Sequence, residues 1–200
     1  AQVTGSYALG LAVFSIAAIT STLFEVPTGV LSDRVGRKKT IIFGSLASVL
    51  AISSYATANS FIILAVGAVF EGLARSFFSG NNDALLYDTL KEQKRINTFS
   101  DTLGKLSSMF QAGLGISALI GGFIAGYSLK IVMIISIFPQ LICLLISFWF
   151  VEPKIHTKKI SGNIFDHLKE SWKTFAQNIK LRKLSLANIL YYGITETNHQ

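Results

Sequence analysis

The 200-residue chain is short of charge: only 14% of its residues are Asp, Glu, Lys or Arg, against about 25% in a soluble domain. Those few charges are gathered into blocks, so a soluble surface could not be built from them. Cysteine is scarcer still. Cys143 stands alone inside an apolar run, which excludes an intrachain disulfide and a thiolate metal cluster. His156, His167 and His199 share no helical face with a second ligand, and no Ser-His-Asp set, CxxC pair or phosphate-binding loop is present. Catalysis has nothing to stand on, no metal or cofactor is expected, and ATP-driven work lacks its phosphate loop.

Long apolar runs are what the chain has in abundance. Half of its residues are hydrophobic. A helix crossing the hydrocarbon core needs about 20 apolar residues, and residues 6–31, 40–59, 60–87, 102–126 and 131–151 each qualify. The polar break Ala58-Asn59-Ser60 divides the second run from the third, and the turn Tyr127-Ser128-Leu129-Lys130 divides the fourth from the fifth. Residues 184–195 open a sixth. The expectation is an all-α membrane protein, with five spans over 1–152, a connecting segment over 153–183 and the start of another span over 184–200. In the connecting segment Ile164, Phe165, Leu168, Trp172, Phe175 and Ile179 recur every three or four residues, with Lys169, Lys173 and Lys180 left for the other face. That spacing predicts an amphipathic helix, lying in the membrane interface or docked on the ends of the spans. The first span begins at once, without an initiator Met, and is too long for a cleaved signal peptide. The sequence reads as a piece of a longer protein.

A net charge of +7 could suggest nucleic-acid binding, and the placement of the 18 basic residues argues against it. Arg34, Arg37, Lys38 and Lys39 lie after the first span, Lys91, Lys94, Arg95 and Lys105 around the loop after the third, and eight more between Lys154 and Lys183. Alternate connections thus hold nearly all of them, as the positive-inside rule requires. These connections face the cytoplasm, Asn59 and Ser128 face outward, and the first partner of a multi-pass cell-membrane protein is the lipid bilayer. A nucleic-acid patch would need the same charges on one folded surface with polar or aromatic readers between them.

Residues 29–41 read GVLSDRVGRKKTI and lie between an uncharged stretch of 24 residues (1–24) and one of 31 (40–70). Gly29 and Gly36 permit close backbone approach and positive φ. Asp33 can accept hydrogen bonds from the exposed N–H groups of a helix start, and the basic residues hold the loop at the membrane surface. In the order Gly29, Leu31, Asp33, Arg34, Gly36, Arg37 and Lys38, the segment resembles the signature loop of the major facilitator superfamily, G-x-L-a-D-r-x-G-r-k. The resemblance implies two six-helix halves joined by a long cytoplasmic connection. The spans here would be the second to sixth helices, and the C-terminal half would be a partner outside this sequence. It also implies that the loop is a gate latch, with Asp33 engaging the opposite half and Arg37 pairing with an acid at the cytoplasmic end of the fourth helix. Asp88 is the expected acid and Asp83 the runner-up, because residues 60–83 already about cross the core at about 1.5 Å each.

The run 60–87 also carries Glu71 and Arg75, four apart and within salt-bridge reach on one helical face. On a continuous helix Ser79 and Asn82 would fall within about 80° of Glu71. A charge at mid-helix costs about 2.5–3.5 kcal/mol even on a lenient insertion scale, so an ionisable residue there is a candidate for substrate or proton coupling. A self-neutralising pair that locks helices together is the alternative. Glu25 lies roughly 9 Å inside Leu31 and is expected to pair with the basic loop.

Residues 102–126 are rich in small residues, which let helices pack closely in lipid. Gly113, Gly121 and Gly122 match the superfamily's antiporter pattern g-x-x-x-G-P-x-x-G-G, with Ser117-Ala118 in place of Gly-Pro. The fourth-helix pattern R-x-x-q-G is partly met, by Gly72 with Glu71 before it and Ala68 where the Arg would stand. The resemblance implies a secondary transporter that rocks two bundles about a midplane site. Proton-coupled efflux of a small-molecule substrate is the leading mechanism. Uptake by symport, or a nontransporting receptor or scaffold with the same fold, are the alternatives.

Overall fold

The computed structural model describes residues 5–154 and, beyond them, Gln177, Ile179 and Lys183. Every regular element among the described residues is helical. In chain order they are α1 (Tyr7–Val35), α2 (Arg37–Thr57), α3 (Phe61–Phe78), α4 (Asn81–Glu92), a 3₁₀ turn (Ile96–Thr98), α5 (Phe99–Ala125) and α6 (Leu129–Ser147). Among the described residues, five stretches are long and apolar enough to cross a membrane: α1, α2, α3 with α4, the 3₁₀ turn with α5, and α6. They coincide with the five runs expected from composition. The amphipathic helix expected over 164–179 and the sixth segment, 184–195, lie outside the described residues apart from Gln177, Ile179 and Lys183.

Two expectations about local structure need correction. The segment 29–41 is not a loop: α1 continues to Val35, α2 begins at Arg37, and the whole turn is Gly36. Gly29 is therefore an interior helical residue, and a Cβ added there would meet nothing within 4 Å. The third span is not one helix either. It breaks at Ser79-Gly80, where Gly80 takes the left-handed conformation (φ 68°) that side chains disfavour.

The packing is inverted relative to a soluble protein. Apart from Ile41 and Leu90, the buried apolar interior is alanine, Ala17, Ala47, Ala51, Ala56, Ala68 and Ala74, while Phe14, Leu23, Ile62, Phe123 and Phe138 are exposed. In lipid the outside is as apolar as any core, so helices associate through close van der Waals contact between small residues. Gly72 shows the principle at its tightest, because a Cβ there would lie 2.5 Å from the Ala17 carbonyl oxygen. The helix α3 packs on both α1 and α2, and α2 also packs on α6. Thr28, just after Pro27 in α1, shares its single hydroxyl proton between the Phe24 carbonyl at 2.7 Å and the Ser76 carbonyl of α3 at 3.0 Å. The second branch reaches one of the free carbonyls that the end of α3 leaves inside the bundle. By contrast α5 has no buried residue and touches its neighbours lightly.

Candidate functional site

At the basic end of the bundle, α1, α2 and α4 meet around Arg37. The first turn of α2 is Arg37-Lys38-Lys39, with no acidic residue, which is the wrong sign for the positive end of a helix dipole. Asp33 in the last turn of α1 is wrong in the opposite sense. Gly36 brings these two misplaced charges together, and Arg37 Nη2 lies 3.1 Å from Asp33 Oδ1. On its other side Arg37 Nε faces Asp88 Oδ2 of α4 at 3.7 Å, both side chains being only 15% exposed. That distance is an ion pair but too long for a hydrogen bond. Asp88, and not the exposed Asp83 in the first turn of α4, is thus the acid that reaches the arginine.

A ring of hydrogen bonds fixes the guanidinium. Arg37 Nη1 donates to Ser32 Oγ at 2.9 Å, Ser32 Oγ donates to Asn81 Oδ1, and Asn81 Nδ2 returns to the Arg37 carbonyl at 3.2 Å. Ser32 and Asn81 are almost completely buried. The break at Gly80 makes this possible, because it starts α4 afresh with Asn81 at its first residue, pointed between α1 and α2.

The acceptor expected of Asp33 at a helix start is supplied by Glu152 instead. Its carboxylate lies over Gly36 and takes the N–H of Arg37 at 2.7 Å and of Lys38 at 2.8 Å. A negative group on two free N–H donors is the complement that the basic first turn of α2 lacks. Gly36 is required twice over. Its backbone has φ 102°, and a Cβ would sit 2.8 Å from the Glu152 carboxylate. Two residues on, Lys154 N donates to Glu92 Oε2 at 3.0 Å, so the exit from α6 is tied to α4 as well. Nothing local marks Glu152 for this role, since 115 residues separate it from Arg37. Arg34 and Lys38 complete the basic rim, Arg34 exposed and Lys38 half-buried.

The second cluster lies within the third span. Glu71 is about 15 Å along α3, half the hydrocarbon thickness, and Arg75 Nη2 pairs with its Oε1 as the four-residue spacing predicts. Arg75 gains further from the break, which places it in the last turn of α3 where the dipole favours a cation. Sequence reasoning missed the third member: Tyr55 of α2 donates its hydroxyl to Glu71 Oε2 at 2.6 Å. Gly67 makes room for that ring, a Cβ there falling 2.7 Å from it. A glycine four residues before Glu71 was the available signal.

The remaining candidates are placed differently from expectation. Glu25 has no ion pair with the basic turn among the described residues. Its Oε1 instead accepts the Ser79 hydroxyl at 2.8 Å, because α1 extends to Val35 and leaves Glu25 beside the end of α3. Asn82 lies beyond the break and is exposed, so it does not continue the polar stripe of Glu71 and Arg75. Gly113, Gly121 and Gly122 have nothing within 4 Å of a Cβ position. No group of acidic, His and Cys side chains suited to a metal ion occurs among the described residues.

Comparison with known proteins gives a consistent result. The sequence profile of the Major Facilitator Superfamily matches residues 2–195. An uncharacterized MFS-type transporter of Bacillus subtilis is 22% identical over the entire chain, which covers 48% of that protein. An uncharacterized transporter of Buchnera aphidicola is 36% identical over 47% of the chain and 23% of its own length. The multi-drug resistance efflux pump PmrA of Streptococcus pneumoniae is 33% identical over 58% of the chain and 28% of its own length. The chain therefore spans less than half the length of these relatives. No solved structure matches it at comparable significance.

Proposed function

This chain belongs to the Major Facilitator Superfamily, and from that premise we propose that it forms part of a proton-coupled efflux transporter for a small molecule in the cell membrane. The observation that carries the reading is the Arg37–Asp88 pair across α2 and α4, held by Ser32, Asn81 and Glu152 at the basic end. A charge pair that stops short of hydrogen bonding can tighten in one access state and part in another, which is what a latch between alternating states requires. Asp33, which pairs with Arg37 and is 40% exposed at the same end, is the group assigned to meet a second bundle of the same protein. Efflux is supported by the likeness to a multi-drug pump. Proton coupling is assigned to Glu71, an ionisable group inside a span and held by Arg75. Glu25 and Asn82 are secondary candidates for contact with substrate.

The test uses the full-length protein in liposomes with ethidium as the probe and an imposed proton gradient. Gradient-driven dye movement that Glu71→Gln abolishes supports the reading. Dye movement that ignores the gradient, with Glu71→Gln equal to wild type, overturns the coupling assignment. Binding of dye or of a protein partner without any flux favours a receptor or scaffold.

A further inference from the structure

We infer that Tyr55 is the positioning residue for Glu71, a hydrogen-bond partner that holds the carboxylate between two helices and turns its hydroxyl when the carboxylate takes up a proton. This rests on the reading of Glu71 as the proton-coupling group. The two carboxylate oxygens are held from two directions: Oε1 by Arg75 on the same helix, and Oε2 by Tyr55 from α2 at 2.6 Å. No other charged or titratable group among the described residues touches the carboxylate, and α1 presents Ala17, Thr20 and Ser21 to this part of α3, at Gly72. Arg75 alone would leave Glu71 free to swing, since its own side chain is 58% exposed. The phenol is the fixed member. Its ring is wedged against Gly67, where any side chain would collide with it.

The chemistry of a phenol gives this contact a consequence that an arginine cannot supply. Arginine only donates, whereas a tyrosine hydroxyl both donates and accepts. While Glu71 is ionised, Tyr55 donates to Oε2. A proton arriving at Oε2 sets one O–H against another, so the phenol must rotate its proton away and accept instead. Protonation of Glu71 is thereby passed to α2, the helix whose opposite end carries Arg37 and the Glu152 cap.

The experiment is infrared difference spectroscopy on the purified full-length protein during a pH jump, alongside ethidium efflux in liposomes. The Glu71 carboxylate band is identified by its loss in Glu71→Gln. In Tyr55→Phe, which keeps the ring against Gly67, that band shifts and gradient-driven efflux falls about tenfold, the worth of one hydrogen bond to a charged group. Gly67→Ala displaces the ring and shifts the band in the same direction. An unmoved band in both variants overturns the inference while a transport-dead Glu71→Gln leaves the coupling assignment standing. A shifted band with full coupling in Glu71→Gln retains Tyr55 as the holder of Glu71 and removes the coupling assignment.

Discussion

Glycine serves opposite ends in the inner helices and in α5. At Gly36, Gly44, Gly67 and Gly72 an added Cβ would stand 2.5–2.8 Å from an existing atom, whereas at Gly104, Gly113, Gly115, Gly121 and Gly122 it would meet nothing within 4 Å. The first four are each matched to a particular neighbour: the Glu152 carboxylate, the Phe78 ring, the Tyr55 ring and the Ala17 carbonyl. The helix α5 is the richer in glycine and yet buries no residue. A small-residue stripe records a capacity for close approach, and only a neighbour turns that capacity into energy. In the inner bundle the neighbours also bear the polar groups of the site, so packing and chemistry are decided at the same positions.

The largest loss is expected at the one-residue turn. Gly36→Ala places a side chain at φ 102° and drives it into the Glu152 carboxylate, which combines backbone strain with a lost helix cap at about 2–4 kcal/mol. Thermal unfolding of the full-length protein in detergent measures it, and a variant within experimental error of wild type would remove the special status of this turn. Glu152→Ala separates the two contributions, because it removes both acceptor oxygens of the cap and leaves the Gly36 backbone as it is. Next comes Gly72→Ala. Its methyl group would sit 2.5 Å from the Ala17 backbone, which cannot turn aside as a side chain can, and overpacking of this kind costs about 1–3 kcal/mol. The same unfolding assay should rank it below Gly36→Ala.

The same contrast explains what could be read from the sequence. Spans are legible because hydrocarbon imposes a length and a composition on each run separately. The Arg37–Asp88 partnership was legible through the resemblance and the length of the third span. Tyr55, Glu152 and the Ser79–Glu25 contact were not, because each depends on how separate helices are set against one another. Glu152 meets Arg37 across 115 residues, and periodicity along the chain carries no information about that encounter. The break at Ser79-Gly80 is an intermediate case. A glycine followed by Asn81 and Asn82 is a turn signal of ordinary strength, but the apolar pattern continues through it and masks it. Placing Asn82 on the same face as Glu71 failed for that reason, and Asn81, its neighbour, holds the buried position instead.

A smaller effect is expected from the Arg37–Asp88 pair itself. Arg37→Ala and Asp88→Ala each remove one side of a contact at 3.7 Å, so a double-mutant cycle on unfolding should return a coupling of about 1 kcal/mol, within the range for residues in direct contact. Replacing Asp88 by Asp83 in the cycle should return no coupling, since Asp83, in the first turn of α4, is exposed. Charge reversal at both Arg37 and Asp88 should recover part of the transport that either single reversal loses. Coupling to Asp83 and none to Asp88 would place the break in the third span at the wrong residue.

The smallest effect is expected on α5, and it bears most directly on the contrast between the two kinds of glycine. Gly121→Ala adds a methyl group where nothing lies within 4 Å, and alanine is the better helix former. In the isolated 200-residue chain in detergent, stability should therefore be unchanged to within about 0.5 kcal/mol, and Gly113→Ala should behave alike. The substitution can also be made in the full-length protein, where the same methyl group tests for a neighbour contributed from outside this chain. If the loss there rises to the level of Gly72→Ala, the glycine face of α5 is a packing face whose partner lies beyond these residues. If it stays near zero in both, glycine in α5 is not there for close packing, and the contrast with the inner helices is one of function as well as of neighbourhood.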